Sequence, residues 1–155
     1  MAGHELDVRT VRPGDPDWDA LVGLFADYRV HYGREHDPTR CDRWLREQLG
    51  AGRYRCYLVR SGAGGQAAGM ANVVVSPASM ALSQYWQLRD LYVAPHHRRV
   101  GAGRLLVETV VADARAGGAA RVSLQTEVGN DRAVALYRSA GFEVVGELTL
   151  LNLTL

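Results

Sequence analysis

The chain has 155 residues and a net charge of +1, from 18 basic and 17 acidic side chains, and every basic one is an arginine. This length suits a single domain, residues 1–155, and the balanced charge gives no strong electrostatic footprint for duplex nucleic acid, which requires many clustered cations. No apolar run reaches the roughly 20 residues of a membrane-spanning helix, and the polar N-terminus lacks the pattern of a secretory signal. We therefore expect a cytoplasmic protein without a nucleic-acid or membrane partner.

The first third of the sequence predicts one strand followed by two helices. Apolar alternation indicates a strand over residues 6–12. Asp15-Pro16-Asp17 predicts the start of a helix with one apolar face, which ends near Gly33. A second, shorter helix should begin near Thr39, with Thr39 and Asp42 as its capping pair.

The remainder alternates strands with helices. Apolar patterning predicts strands over 54–58, 67–76, 84–93 and 121–126, and helices over 101–116 and 130–140. Residues 142–155 should be extended, as one or two further strands. This order predicts an α/β fold of the α+β type: a mixed sheet of six to seven strands, antiparallel first and parallel later, with helices on both faces.

The most informative segment leads from a buried strand into the helix near Gly101. A helix start carries unpaired N–H groups and the positive end of the dipole, and glycine lets a ligand approach the backbone. Arg98, Arg99 and Arg104 add positive charge, so the segment suits a diphosphate. A Walker A loop is excluded because the chain has no lysine, and a dinucleotide fingerprint is weak because Leu106 stands where its third glycine belongs.

The sequence gives no sign of a metal site or a disulfide framework. Its two cysteines, Cys41 and Cys56, lie far apart in the chain and lack the spacing of a zinc site. We expect both to be buried structural thiols.

Two segments together resemble the GNAT superfamily of N-acetyltransferases. Arg98-x-x-Gly101-x-Gly103, after a strand that ends in Val-Ala-Pro, is similar to the coenzyme A loop of that family. Asn130-Asp-Arg-Ala-Val-Ala-Leu-Tyr137, followed by Gly141-Phe142, is similar to its second motif. The resemblance covers about residues 84–147. It implies a GNAT fold and an enzyme that moves an acetyl group from acetyl-CoA to a primary amine by direct attack in a ternary complex.

A narrower resemblance involves residues 25–33 (FADYRVHYG) and 86–93 (WQLRDLYV). Both look like one branch of the superfamily, which includes fungal enzymes acting on histones, polyamines or D-amino acids. The wider family resemblance also implies a homodimer, for which residues 148–155 offer an apolar edge.

The resemblance assigns the binding of acetyl-CoA to three parts of the chain. The backbone of Leu91, Tyr92 and Val93 would pair with the pantetheine arm, in a slot where this strand splays from the next one. The turn and helix start would hold the pyrophosphate, through Arg98, Arg99, Val100, Gly101, Ala102, Gly103 and Arg104. The second motif would contribute Asn130, Ala133 and Tyr137.

The resemblance also suggests a proton donor and leaves the proton acceptor open. Tyr137 is the candidate general acid for the departing thiolate. Many relatives carry a carboxylate base on the strand before the loop, at the position of Gln87, which cannot do this work. Asp90 lies nearby, although alternation places it on the other face unless a bulge intervenes. Glu127 is the second candidate base, and a chain of water molecules is the alternative to both.

The acceptor amine is not fixed by the sequence. Tyr28, Arg29, Tyr32 and Trp86 are the candidate acceptor-binding residues. Acidic Glu35 and Asp37 would attract a cationic amine, whereas Arg29 would hold a carboxylate. We expect a small-molecule amine or amino acid. The alternatives are acetylation of a protein lysine or N-terminus, and a non-catalytic module that binds coenzyme A.

Overall fold

The computed structural model describes residues 5–62 and 65–155, which form two compact units. The first unit ends at Gln125 and contains the whole sheet, and the second runs from Thr126 to Leu155. The single domain expected for residues 1–155 stays a prediction.

A five-stranded sheet, in the order β1-β2-β3-β4-β5, dominates the first unit. Neighbouring strands from β1 to β4 pair antiparallel, and β5 pairs parallel with β4. The predicted mixed sheet is therefore confirmed, with its parallel pair joined by a helical crossover as such a pair requires. The strands are Leu6–Val11 (β1), Tyr54–Ser61 (β2), Gln66–Ala78 (β3), Ser83–Val93 (β4) and Arg121–Leu124 (β5).

The described residues form four α-helices, which are Trp18–His31 (α1), Pro38–Gly50 (α2), Ala102–Ala116 (α3) and Asp131–Ser139 (α4). The predicted cap of the second helix is wrong. Asp37 caps α2 instead of Thr39, because its Oδ1 accepts from the N–H of Arg40 at 2.9 Å and Pro38 fits the first helical position. Asp42 accepts the indole N–H of Trp18 at 2.6 Å, which joins α1 to α2.

Helices cover both faces of the sheet, as predicted. α1 and α2 lie on one face, where their apolar side chains form a buried cluster with Cys56, Leu58 and Met70. α3 covers the other face, where the hydroxyl of Tyr57 donates to Asp113 Oδ2 at 3.0 Å. Burial of apolar area on both faces is the main term that stabilises such a layered fold.

β4 contains one residue more than its partner β3 can pair. Asn72 lies opposite Asp90, whereas the next residue of β3, Val73, lies opposite Leu88. Arg89 is therefore the extra residue of a β-bulge. A bulge shifts the alternation of side chains beyond it, so Asp90 shares the face of Asn72, which α1 and α2 cover.

The sixth and seventh strands predicted from the sequence are not found. Residues 142–155 carry neither helix nor strand, and five of their leucines are exposed: Leu148, Leu150, Leu151, Leu153 and Leu155. Apolar alternation does not suffice for a strand, because a strand also needs a neighbour to pair its backbone groups. The stretch also has little room for the turn that would let it pair with itself.

α4 is the helix of the second unit, and it confirms the helix predicted over residues 130–140. Asn130 caps it, since its side-chain oxygen accepts from the N–H of Ala133 at 3.3 Å. Gly141, with a φ of 93°, follows the helix, and the N–H of Phe142 donates back to the carbonyl of Tyr137 at 3.0 Å.

Gly69 of β3 lies where a side chain would collide with β4. A Cβ there would stand 2.6 Å from the carbonyl oxygen of Tyr92 and 3.1 Å from Cγ2 of Val93. We expect Gly69→Ala to lower the free energy of unfolding by about 1–3 kcal/mol in urea titrations. The matched control is Gly23→Ala in α1, where a Cβ meets no atom within 4 Å. This change should raise stability by about 0.5–1 kcal/mol, and equal effects of the two substitutions would contradict the close approach.

Candidate functional site

The turn between β4 and α3 presents a row of backbone N–H groups. Arg99 (φ 67°) and Gly101 (φ 92°) adopt left-handed conformations, and α3 then begins at Ala102 without a side-chain cap. Within the part of the chain that the structure describes, no N–H from Arg99 to Arg104 donates to another backbone oxygen. N–H groups that converge in such a nest, at the positive end of a helix, form an anion-binding site.

The arginines of this turn have separate contacts. The Nε of Arg98 donates to the carbonyl oxygen of Val93 at 2.9 Å, and its guanidinium lies 5.9 Å from the ring centre of Tyr92. Arg104 pairs with Glu108 along α3 at 2.7 Å. Arg98 thus fixes the turn to the end of β4, while the backbone of the turn provides the concave surface.

β4 extends beyond its neighbour β5. Their parallel pairing ends at Leu88 and Leu124, whereas β4 continues to Val93. Among the described residues, no strand pairs with the last part of β4 on this side. The slot predicted between the two strands therefore begins where β5 ends.

Hydrogen bonding at the end of β4 indicates which backbone groups face this slot. The N–H of Ala94 donates to the carbonyl of Ala68 on β3 at 2.9 Å. Because successive residues of a strand direct their polar groups to opposite sides, those of Tyr92 also point towards β3. The polar groups of Leu91 and Val93 point into the slot.

The carboxylate of Asp90 lies in a polar network between the sheet and α1. Its Oδ2 accepts from Nδ2 of Asn72 at 3.1 Å, and the hydroxyl of Tyr28 donates to the same carboxylate. Burial raises the pKa of Asp90 above its usual range, against the lowering effect of these two hydrogen bonds. A carboxylate with a raised pKa is a better proton acceptor than an exposed one.

The groups around Asp90 stay protonated at neutral pH. Burial and then the charge of Asp90 raise the pKa of Tyr28, and the same two causes raise the pKa of Tyr54 to about 12. The pKa of the Cys56 thiol rises to about 12 through burial and then through Asp90. Cys41 is also buried, so both cysteines lie as predicted.

Two of the four predicted acceptor residues, Tyr28 and Arg29, lie on α1, and Tyr32 directly follows its last residue. Tyr28 and Tyr32 have ring centres 5.0 Å apart, and Tyr28 lies 6.3 Å from the ring of Tyr92 on β4. Arg29 directs its Nη1 to within 3.9 Å of the Cys41 sulfur on α2. These side chains occupy the face that carries Asp90, and their part in acceptor binding stays a prediction.

Trp86, the fourth predicted acceptor residue, lies on the opposite face of the sheet. It is 0% exposed, and the guanidinium of Arg55 lies 4.5 Å from its ring centre. Its contact with the acceptor stays a prediction, but the structure separates it from the other three residues. The reason is the alternation along β4, which turns Trp86 towards α3 and Gln87 towards α1 and α2, while the bulge brings Asp90 to the face of Gln87.

The second unit carries the remaining predicted site residues. The carbonyl of Glu127 accepts from the N–H of Asn130 at 3.1 Å, so both belong to the turn before α4. The rings of Tyr137 and Phe142 meet edge to face at 5.9 Å. The roles of Glu127, Asn130, Ala133 and Tyr137 in catalysis and cofactor binding stay predictions.

Sequence reasoning missed Asn72 and Tyr54, which belong to the surroundings of Asp90. Asn72 had a visible signal, because it is a polar residue in the apolar run Met70-Ala-Asn-Val-Val-Val of β3, and it is 0% exposed. A buried amide needs a hydrogen-bonding partner, and that partner is Asp90.

In the described residues, no group of His, Cys, Asp or Glu is arranged to hold a metal ion, and no helix has the length and apolarity to cross a bilayer.

The strand edge and the nest that follows it have the geometry that suits an extended ligand ending in a diphosphate. Comparison with known families agrees, since the profile of the acetyltransferase (GNAT) family matches residues 18–142. The chain belongs to the GNAT family of acetyltransferases. Its α+β fold is that family's fold, here with a five-stranded sheet.

Individual relatives carry the names of acetyltransferases as well. The chain is 28% identical over 138 residues to the uncharacterized N-acetyltransferase YhfO of Bacillus subtilis (strain 168), in an alignment that covers 89% of this chain and 90% of that protein. It is 38% identical over 166 aligned positions to the streptothricin acetyltransferase of Streptomyces lavendulae, covering 93% and 85% respectively. The crystal structure of a probable acetyltransferase has 27% identity and a TM-score of 0.85, over 97% of both chains.

These relatives confirm the prediction of an N-acetyltransferase of the GNAT type. The narrower resemblance to fungal enzymes that act on histones, polyamines or D-amino acids gains no support from them. The homodimer stays a prediction.

The raised pKa of Asp90 predicts a pH-dependent cost to stability. Between the unfolded and the folded pKa of this carboxyl, the folded state keeps a proton that the unfolded state has lost, so stability falls as pH rises through this window. Asp90→Asn removes the charge, and its free energy of unfolding should exceed that of the wild type by more at pH 8 than at pH 4. Each unit of pKa shift corresponds to about 1.4 kcal/mol.

Tyr28→Phe should enlarge the loss of stability with rising pH that Asp90→Asn removes. It removes a hydrogen bond that lowers the pKa of Asp90, so the loss of stability between pH 4 and pH 8 should grow. Urea titrations at several pH values check both variants. An Asp90→Asn variant whose advantage does not change with pH would contradict the raised pKa.

Proposed function

We propose that this protein transfers an acetyl group from acetyl-CoA to the primary amine of a small molecule or amino acid, by direct attack in a ternary complex. One observation carries the proposal: the bulge at Arg89 turns the carboxylate of Asp90 to the α1 side of β4, immediately before the unpaired edge that ends at Val93. A proton acceptor and a slot for the acetyl donor thus meet on one strand.

The described backbone fits acetyl-CoA. The N–H groups from Arg99 to Arg104 would hold the pyrophosphate, since they converge at the start of α3 without other backbone partners. Leu91 and Val93 would pair their backbone with the amides of the pantetheine arm, as a strand edge pairs with a peptide. When bound, acetyl-CoA supplies the thioester that the amine attacks.

Asp90 is the proposed general base. An amine arrives mostly as its ammonium form and must lose a proton before its nitrogen can bond to the thioester carbon. Asp90 would accept this proton and pass it to solvent, and its raised pKa brings it closer to the working pH. The hydrogen bonds from Asn72 and Tyr28 would hold the carboxylate in place. Glu127 or a chain of water molecules is the alternative base.

Tyr137 is the proposed general acid, by its place in the motif that resembles the family's second motif. Its phenol would protonate the sulfur as the carbon–sulfur bond breaks. The nitrogen loses its second proton as the amide forms, and one proton returns to the Tyr137 phenolate, directly or through water. The products are therefore the amide, the free thiol of coenzyme A and the one proton released to solvent through the base. Acetylation of a protein lysine or N-terminus remains the alternative activity, and a module that binds coenzyme A without catalysis is the alternative function.

Calorimetric titration of acetyl-CoA tests the donor site. Gly103→Asp places a carboxylate in the nest and should abolish binding, although aspartate in the first turn of a helix favours the fold. Gly50→Asp is the matched control, because it makes the same change at the end of α2, where a Cβ meets no atom within 4 Å. The control should bind like the wild type. Absence of binding to the wild type would overturn the proposed function.

Thiol release in the presence of a panel of amines tests the chemistry. Asp90→Asn and Tyr137→Phe should each lower kcat about 10²–10⁴-fold, the usual contribution of a positioned acid or base, while acetyl-CoA still binds. Unchanged turnover in Tyr137→Phe would remove the acid assignment, and a loss confined to Glu127→Gln would transfer the base role from Asp90. Binding without release for any amine or peptide would support the non-catalytic module.

A further inference from the structure

One face of β4 stays accessible from Asp90 back towards the start of the strand. Asp90, Gln87 and Tyr85 share this face, because their partners on β3 are every second residue from Asn72 to Ser76. Asp90 is mostly buried, yet all three keep some exposed surface. The strip formed by Tyr85, Gln87 and Asp90, here called the platform, is therefore open along the strand.

The platform and its neighbouring strands offer uncharged hydrogen-bonding groups. Ser76 on β3 lies opposite Tyr85, and Ser123 on β5 lies opposite Gln87. All four are partly exposed, and within the described residues their side chains have no hydrogen-bond partner. Hydroxyl and amide groups without a partner in the protein can bond to a ligand. They suit an acceptor that carries amides or hydroxyls along its length.

A cavity of about 260 Å³ lies at the Tyr85 end of the platform. Residues 77–81 and 120–121 form its walls together with Tyr85. Arg121 is the charged residue of this lining, and its guanidinium lies 4.9 Å from the ring centre of Tyr85. Within the described part of the chain, this guanidinium pairs with no carboxylate. The cavity therefore suits an anionic group, and a carboxylate matches the planar guanidinium.

Asp90 and Arg121 place opposite charges at the two ends of the platform. Tyr85, which pairs with Arg121, lies opposite Ser76, and Asp90 lies opposite Asn72, four residues earlier on β3. Because a strand rises roughly 3.3 Å per residue, the two ends are about 13 Å apart. A ligand that bonds to both ends needs an amine and a carboxylate about 8–12 Å apart. An α-amino acid is too short for this span, whereas an extended tripeptide, roughly 10 Å long, fits it.

We propose that the platform binds a short zwitterionic peptide of about three residues as the acceptor, with its N-terminal amine at Asp90 and its carboxylate at Arg121. The peptide groups between these ends would bond to Gln87, Ser76 and Ser123. The acetyl carbon bonds to the N-terminal nitrogen as its bond to sulfur breaks, which gives the N-acetyl peptide, the thiol of coenzyme A and one proton. This inference rests on the proposed function, in which Asp90 accepts the proton of the same amine.

Triglycine and triglycinamide make matched acceptors, since they have the same length and differ at the terminal carboxylate. Thiol release with the wild type should give a kcat/KM at least tenfold higher for triglycine. Free glycine should show no such advantage over glycinamide, because it is too short to reach Arg121. Arg121→Gln should remove the preference, mainly by raising KM for triglycine, and leave triglycinamide unchanged. Arg121→Lys should recover part of it.

Two further variants separate the charge from the rest of the platform. Arg55→Gln is the matched control, because Arg55 also lies over an aromatic ring of β4, that of Trp86, but on the α3 side. It should keep the preference for triglycine. Gln87→Leu should lower kcat/KM for both peptides by similar factors, since it removes a contact to the peptide groups and leaves the carboxylate contact in place.

Binding of the product gives a readout that does not depend on turnover. N-acetyltriglycine should bind the wild type in calorimetry at least tenfold more tightly than N-acetyltriglycinamide, and Arg121→Gln should remove this difference. Equal affinities, no binding of N-acetyltriglycine, or better turnover of hexaglycine than of triglycine overturns the inference, and the last result indicates a protein N-terminus. If acetyl-CoA still binds and another amine is acetylated, the proposed function stands without it. If acetyl-CoA does not bind, both fail together.

Discussion

The extra residue at Arg89 is the constraint on which the described site depends. Without it, the alternation of β4 would turn Asp90 towards α3, away from Asn72 and Tyr28. With it, the carboxylate meets Asn72 and Tyr28 on the α1 side. The bulge also lies where β5 stops pairing, just beyond Leu88. One inserted residue therefore sets the face of the carboxylate at the start of the strand's free edge.

The burial of the Asp90 carboxylate explains why polar side chains surround it. A charge placed between a sheet and a helix costs free energy unless hydrogen bonds compensate it. Asn72 on β3 and Tyr28 on α1 supply those bonds, so the polar network ties α1 to the sheet beside an otherwise apolar cluster. The remaining desolvation raises the pKa of Asp90. The same imbalance that weakens the fold makes the group useful as a proton acceptor.

Local sequence signals predicted the parts of the site that are local in the chain. The glycine turn before α3 and the Asn130 cap of α4 each depend on a few consecutive residues, and both are found. The bulge depends on pairing between two strands, and the residue type at Arg89 does not predict it. Trp86 was misplaced because the side-chain pattern does not say which face of a doubly covered sheet an aromatic residue takes.

Non-local contacts account for the other differences between sequence and structure. Asn72 and Tyr54 were missed because their importance arises from β2 and β3 approaching Asp90 on β4. Residues 142–155 carry an alternation typical of strands, but they pair with none of the described strands. In both cases the outcome depends on residues far away in the sequence, about which periodicity gives no information.

The nest after β4 and the predicted acceptor residues on α1 are built from different parts of the chain. The nest consists of backbone N–H groups, whereas the residues predicted on α1 would act through their side chains. Substitutions on α1 therefore leave the backbone of the nest unchanged. Divergence within this lineage can alter the side chains of one helix step by step while the turn after β4 keeps its shape.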